Sequence, residues 1–134
     1  MEVENCFVVN ANSSLKYLDI KSVKDLENYP LVLPISGTNN RRELDVVFDK
    51  YNTMVSDVIN IHTSEMIVGA VKKDLGIGYI IKDVVRDNLL NKEFILVDVK
   101  EKLPRTEINL VYIERYLTMV PRYFIENYLH IEIK

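Results

Sequence analysis

Hydroxyl and amide side chains concentrate in two loops, each between an apolar run and a helical pattern. The first loop runs from Ser36 to Asn40 and follows Leu31–Leu33. The second, His62-Thr63-Ser64, follows Val58–Ile61. The N-terminus of a helix presents backbone N–H groups and a positive dipole end, and therefore binds carboxylate, sulfate or phosphate readily. The two loops favour binding of a small anion.

Helix capping is the alternative use of these side chains, because Ser, Thr and Asn cap most helices. Thr63 and Ser64 fit capping better than ligand binding. The loop Ser36–Asn40 has more polar groups than one cap needs, so both uses stay open there. Arg41 and Arg42 come next and either pair with an anion or lie on a solvated helix face.

The side chains that could serve catalysis do not combine into an enzyme motif. His62 and His130 lie at no metal-ligand spacing from Cys or another His, and His62 is interpreted as a hydrogen-bonded loop residue. Cys6 lies in a strand-like run, where a free cysteine usually behaves as a small hydrophobe. Gly76-x-Gly78 lacks the third glycine of a dinucleotide-binding motif and ends a helix. We therefore predict no catalytic residue, no metal site and no cofactor.

Composition is that of one ordinary soluble domain. The chain has 134 residues, of which 48% are hydrophobic and 28% charged. Its formal net charge is −3, whereas a domain that binds nucleic acid by itself usually carries a basic surface. One cysteine, an acidic N-terminus and the lack of a long apolar run indicate a cytoplasmic protein with no membrane contact.

The apolar pattern predicts strands and helices in alternation. Strands are expected at 6–9, 31–33, 58–61, 79–81, 94–97 and 108–113. Helices are expected after the capping box Ser22–Asp25, on the stripe Leu44, Val47, Phe48 and Tyr51, on the stripe Met66, Ile67, Ala70 and Val71, from an Asp83 cap to Leu90, and around Phe124, Ile125, Tyr128 and Leu129. This order predicts an α/β fold with a mainly parallel sheet, whose ligands bind beyond the carboxyl ends of the strands.

An ordered set of motifs resembles the effector-binding region of LysR-type transcriptional regulators. The motifs are Ser22–Leu26, Tyr29–Leu33, Ser36-Gly37-Thr38, Arg42–Asp45 with Phe48, Val68–Gly78, Ile108–Tyr112 and Phe124-Ile125. Each is loose alone, but their order and spacing are specific, and the match runs from about Phe7 to Tyr128. The chain departs from the family at Lys82, where a proline is usual, and in its more polar sequence after Gly69.

The resemblance implies a Rossmann-like, type 2 periplasmic-binding-protein-like fold, truncated to the second subdomain plus the closing strand and helix of the first. Residues 1–104 would form the second subdomain of the effector-binding domain, and 105–134 would return to the first. The winged helix-turn-helix of the family is absent from these residues, so DNA would be contacted only through that missing domain. Apolar surface left on the return segment is expected to drive self-association into a dimer or a higher assembly.

Effector sensing is the function that the resemblance implies. A small anionic inducer, such as a carboxylate or an inorganic anion, would bind in the cleft between subdomains and be coupled to transcription control. The implied effector-binding residues are Ser36, Gly37, Thr38 and Asn39, with Thr63 and Ser64 second. The alternatives are a small cytoplasmic α/β enzyme and a free-standing small-ligand-binding module.

Overall fold

The computed structural model describes residues 2–14 and 19–107, in which strands and helices alternate. The strands are β1 (Glu2–Asn10), β2 (Leu31–Pro34), β3 (Val58–Ile61), β4 (Ile77–Ile81), β5 (Phe94–Val97) and β6 (Arg105–Glu107). The helices are α1 (Asn39–Lys50), α2 (Ser64–Lys72) and α3 (Arg86–Leu90), with 3₁₀ segments at Val23–Asn28 and Lys82–Val85. The α/β class is confirmed.

The sheet of the described residues has the strand order β3-β2-β4-β1-β5, and β6 pairs with the beginning of β1. Strand β2 is parallel to both β3 and β4, whereas β1 is antiparallel to β4, β5 and β6. Strands β2, β3, β4 and β5 therefore share one direction, and the sheet is mixed because β1 opposes them. The sequence did not reveal the direction of β1, because its run from Cys6 to Val9 is buried on both faces like a parallel strand.

Helices cover both faces of the sheet and complete two apolar layers. On one face, Ile67 and Val71 of α2 pack in a cluster with Val8 and Val32. On the other face, α1 and the 3₁₀ segment Val23–Asn28 close a cluster that includes Phe7, Leu26, Leu31, Leu33, Leu44, Phe48 and Tyr79. Full burial of each such side chain contributes roughly 1.5–3 kcal/mol, so the two layers hold α1 and α2 firmly on the strands.

Several element boundaries differ from the prediction. Helix α1 begins at Asn39, so Asn39 and Asn40 belong to its first turn and not to the loop. The predicted cap at Asp83 is wrong: its side chain is buried inside the second 3₁₀ segment and pairs with Arg86. Met66 was expected on the apolar stripe of α2 but is exposed, because the narrow buried face of that helix is filled by other side chains.

The capping box before the first short helix forms as predicted. The Asp25 carboxylate accepts hydrogen bonds from the backbone N–H groups of Ser22 (3.0 Å) and Lys21 (2.9 Å). These bonds hold its pKa below the ordinary value. The segment is six residues long and has 3₁₀ geometry, which is found mostly in short helices. Residues 108–134 lie outside the described residues. The predictions of a strand at 108–113, of a final helix and of self-association through this segment, and the interpretation of His130, concern those residues.

Gly76 provides a test of the packing between the turn after α2 and the start of β2. A Cβ atom at Gly76 would lie 2.7 Å from the backbone oxygen of Pro30, which accepts the Ile77 N–H at 2.9 Å. We expect Gly76→Ala to lower the free energy of unfolding by about 1–3 kcal/mol, measured by urea denaturation, because the backbone must shift.

Gly69→Ala is the matched control, because Gly69 lies inside α2 and a Cβ atom there meets nothing within 4 Å. This variant should raise the free energy of unfolding by about 0.5–1 kcal/mol through helix propensity. A similar change in both variants would contradict the tight contact at Gly76.

Candidate functional site

The two polar loops singled out by the sequence meet at one edge of the sheet. Strands β2 and β3 are adjacent and parallel, so the two loops predicted to bind an anion leave the sheet side by side. The register Pro34↔Ile61 aligns the two strand ends, and the Ile35 N–H donates to the Ile61 carbonyl at 3.0 Å. Since β1 runs in the opposite direction, its first residues and β6 lie at this same edge. The structure therefore brings both loops and the paired strands β1 and β6 to the same edge.

A tight turn over residues Ile35–Thr38 makes up the first loop. The Thr38 N–H donates to the Ile35 carbonyl at 3.4 Å, and Gly37 has a φ of 98°. That left-handed conformation favours glycine at the third position of a turn. Ser36 and Gly37 are both exposed, so the tip of the turn is open to solvent.

Thr38 is the N-cap of α1. Its Oγ1 accepts a hydrogen bond from the Arg41 N–H at 3.3 Å and donates to the Ile35 carbonyl at 3.0 Å. The hydroxyl proton of Thr38 is therefore used within the turn. Thr38 therefore orients the start of the helix.

Asn39 and Arg42 interact across the first turn of α1. The Arg42 guanidinium donates to Asn39 Oδ1 at 2.8 Å and reaches the Gly37 carbonyl at 3.4 Å. The positive charge therefore lies against the turn, beside its backbone. Arg42 raises the electrostatic potential at the predicted anion site without projecting away from it.

Arg41 has a structural role. Its guanidinium donates to the Pro34 carbonyl (3.0 Å), to Asn60 Oδ1 (2.5 Å) and to Asp45 (3.0 Å). The side chain is only 12% exposed. These bonds tie β2, β3 and α1 together, so the solvated-face use that the sequence left open does not apply to Arg41.

The second loop ends in the cap that the sequence predicted. Thr63 Oγ1 accepts a hydrogen bond from the Met66 N–H at 3.2 Å, and α2 begins at Ser64. His62 is exposed next to it. The capping use of Thr63 is confirmed, and ligand contacts by Thr63 and Ser64 stay a prediction.

The sequence did not reveal a network of three polar side chains, in which Asn5 and Thr106 are buried and Asn40 is partly buried. Asn5 of β1 donates through Nδ2 to the Pro104 carbonyl (2.9 Å) and to Thr106 Oγ1 (2.8 Å). Thr106 donates to Asn40 Oδ1 at 2.7 Å, and Asn40 Nδ2 approaches Asn5 Oδ1 at 3.5 Å. The one available signal was an asparagine directly before the apolar run at Cys6, since a buried amide needs partners.

Charged side chains surround the beginning of β1. Glu4 pairs with Arg105 (2.9 Å), its register partner on β6, and lies 4.0 Å from Lys82. A cavity of about 250 Å³ opens beside them, between β1, β5 and the segment 98–105. None of the predicted effector residues lines this cavity, which lies on the far side of β4 from the two loops.

Cys6 is a core residue. Its side chain is buried, and burial raises the pKa of the thiol from 9.0 to about 12, although nearby Lys82 opposes the shift. The thiol is therefore protonated at neutral pH and is no nucleophile there. Within residues 2–14 and 19–107, no group of three His, Cys, Asp or Glu side chains could hold a metal ion. None of the described helices has the length and apolar character needed to cross a membrane.

The sequence matches the family of the LysR substrate binding domain over residues 1–129, and the chain belongs to that family. This confirms the resemblance seen in the motifs. No curated protein matches the sequence.

Three solved structures share the fold. The effector binding domain of QuiR in complex with shikimate has 20% sequence identity and a TM-score of 0.63, with 78% of this chain and 48% of that chain covered. The regulatory domain of Synechocystis PCC6803 CcmR in complex with 2-PG has 12% identity and a TM-score of 0.66, covering 86% and 60%. Holo ArgBP from T. maritima has 15% identity and a TM-score of 0.53, covering 78% and 42%.

These likenesses establish a type 2 periplasmic-binding-protein-like fold, as the motifs implied. The chain spans between 42% and 60% of the length of these three structures.

The raised pKa of Cys6 predicts alkaline instability. Because the folded-state pKa lies above the unfolded value, the contribution of the neutral thiol to stability is complete below pH 9 and is lost as the pH rises toward 12. We expect the free energy of unfolding, measured by urea denaturation, to fall between pH 9 and pH 12.

Cys6→Ala is the control, because it removes this titration and leaves Tyr79, whose pKa burial also raises. The loss of stability across this range should be smaller in the variant. Equal losses in both proteins, or fast reaction of the native thiol with a disulfide reagent at pH 7, would contradict a buried neutral Cys6.

Proposed function

We propose that this chain senses a small effector as part of a LysR-type transcriptional regulator. The observation that carries the proposal is the pair of loops at the ends of β2 and β3, joined by the hydrogen bond from Ile35 to Ile61. Each loop ends in a threonine N-cap, at Thr38 and at Thr63. The two helix N-termini lie at the same edge of the sheet, one on each face, and bring N–H donors and positive dipole ends to that edge.

We place the effector at this edge of the sheet, in a cleft between two subdomains. In this proposal residues 1–104 form the second subdomain, and residues 105–134 return to the first. The pairing of Glu2–Glu4 with Arg105–Glu107 supports it, because the chain enters and leaves the lobe through neighbouring strands at the same edge. A second lobe attached there would face both loops.

A small anion, a carboxylate or an inorganic anion, is the proposed ligand. Its proposed contacts are the exposed hydroxyl of Ser36 and the backbone of Gly37 and Asn39, with Thr63 and Ser64 second. Thr38, whose N–H and hydroxyl both donate to the Ile35 carbonyl, would hold the turn in place. Arg42, held against the turn, adds positive potential. Two structures of the same fold contain shikimate and 2-PG, which supports a small-molecule ligand.

The regulator would act without catalysis, in the cytoplasm, as a dimer or a higher assembly. DNA would be contacted only through a DNA-binding domain outside these residues. The buried neutral thiol of Cys6 supports a role without catalysis, since it removes the cysteine as a nucleophile. No described feature favours the enzyme alternative.

Ser36 tests the site. Shikimate, succinate, sulfate and inorganic phosphate are titrated into the isotope-labelled chain, and the amide signals of Ser36–Asn40 are followed by NMR. We expect at least one anion to shift them. Ser36→Ala should weaken its binding about fivefold, which corresponds to the net loss of one hydrogen bond of about 1 kcal/mol.

Ser56→Ala is the matched control, because Ser56 is also exposed but precedes β3 and so lies at the opposite edge of the sheet. Its affinity for the anion should equal that of the unmodified chain. Failure of all four anions to shift the loop signals, or equal affinities of the two variants, would refute the proposed site.

A further inference from the structure

The network of Asn5, Asn40 and Thr106 joins three parts of the chain that are far apart in sequence. Asn5 lies on β1, Thr106 on β6 and Asn40 in the first turn of α1. We propose that these three are positioning residues, which couple the turn Ile35–Thr38 to the orientation of the β1–β6 ribbon. The proposal deepens the proposed function and rests on it, because it supplies the route by which an occupied loop would act on the rest of a regulator.

The β1–β6 ribbon, Glu2–Glu4 paired with Arg105–Glu107, extends beyond the main sheet. On β1, the pairing with β4 ends at Asn5, opposite Ile81, and the pairing with β5 ends at Phe7. Before Asn5, β1 is paired with β6 alone among the described strands. Asn5 therefore lies at the base of the ribbon, where the ribbon leaves the sheet.

The chemistry of the partners fixes the direction of each bond. The Pro104 carbonyl can only accept, so the amide nitrogen of Asn5 must face it. The same nitrogen donates to the Thr106 hydroxyl, which leaves the Thr106 proton for Asn40 Oδ1. Asn40 Nδ2 completes the ring at Asn5 Oδ1.

Burial makes it costly to break one hydrogen bond of this ring while the others stay formed. Asn5 is 8% exposed and Thr106 is 6% exposed. A buried amide or hydroxyl that loses its partner costs more than the bond itself contributes, because no water replaces the partner. Displacement of Asn40 therefore favours a joint movement of Asn5 and Thr106 over a broken network.

Asn40 lies two residues after the cap of α1. The Thr38 hydroxyl links the turn to the Arg41 N–H, so a shift of the turn moves the whole first turn of the helix. Asn40 carries that shift into the network. Direct hydrogen bonds therefore connect the turn to the ribbon, and no bridging water is needed between them.

An apolar tie also holds the ribbon, because Val3 is completely buried in the cluster that contains Val84 and Val85. The other polar ties to the ribbon are weaker. Glu4 forms ion pairs with Arg105 and Lys82, and all three side chains are about half exposed. Exposed ion pairs hold geometry poorly because solvent screens them. Among the polar ties, the network of Asn5, Asn40 and Thr106 is therefore the stronger one, and unlike the apolar contact of Val3 it reaches the first turn of α1.

An amino-acid substitution in the turn tests the coupling without a ligand. Gly37→Ala strains the turn, because Gly37 has a φ of 98°, and it does not touch the network. The amide signals of Glu2–Glu4 are recorded by NMR in the full chain, with and without this change. We expect the signals to move, and the movement to be lost when Gly37→Ala is combined with Thr106→Val.

Thr106→Ser is the conservative variant and should restore the movement, since it keeps the hydroxyl. Asn40→Ala is an independent break, because alanine is well tolerated in a helix, and it should abolish the movement even if Thr106→Val does not fold. A movement of equal size in all backgrounds would overturn the proposal. So would the absence of any movement after Gly37→Ala alone.

A second arm separates this proposal from the proposed function. Shikimate and inorganic phosphate are titrated into the unmodified chain while the signals of Ser36–Asn40 and Glu2–Glu4 are followed together. If a probe shifts both sets, both proposals are supported. If it shifts the loop alone, the coupling is wrong and the binding site stands. If neither probe shifts the loop, the binding site loses support, and Gly37→Ala alone decides the coupling.

Discussion

The antiparallel placement of β1 is the constraint on which the arrangement of this lobe depends. Strand β1 pairs with β4, β5 and β6, and Phe7, Val8 and Val9 are completely buried at its centre. Because β1 opposes its neighbours, its beginning lies beside the carboxyl end of β4, at the same edge of the sheet as the carboxyl ends of β2 and β3. A parallel β1 would begin at the opposite edge, far from both loops and from the helix start that Asn5 contacts.

Polar groups at this edge divide into those that hold the scaffold and those that face solvent. The hydroxyls of Thr38 and Thr63 cap helices, and Arg41 joins two strands to α1. Ser36 and Gly37 remain at the exposed tip of the turn. This division would suit the proposed binding loop, because a ligand would meet donors that the scaffold has already oriented and little conformational entropy would be lost on binding.

Apolar periodicity was sufficient to place most elements. The strands at Val58–Ile61 and Phe94–Val97 have the predicted bounds, and Leu44 and Phe48 are buried on α1 as their spacing required. The local sequence pattern gave a wrong prediction where long-range packing determines the position of a side chain. Asp83 fits a cap by residue type, but the fold buries it beside Arg86.

The predicted binding residues show the same division. Ser36 and Gly37 are exposed as a loop residue should be, while Asn39 belongs to a helix and interacts with Arg42. Asn5, Asn40 and Thr106 could not be grouped from the sequence, because residues up to 101 positions apart form the network. Side-chain partners over such separations depend on how the strands are ordered, and periodicity carries no information on that order.

By itself the sequence determined the α/β class, the family and the two polar loops, because these depend on local spacing and motif order. Only the tertiary structure decided the direction of β1, the meeting of the two loops and the buried network. Those features depend on which strands pair and in which direction, and pairing is settled by burial of the whole sheet between α1 and α2.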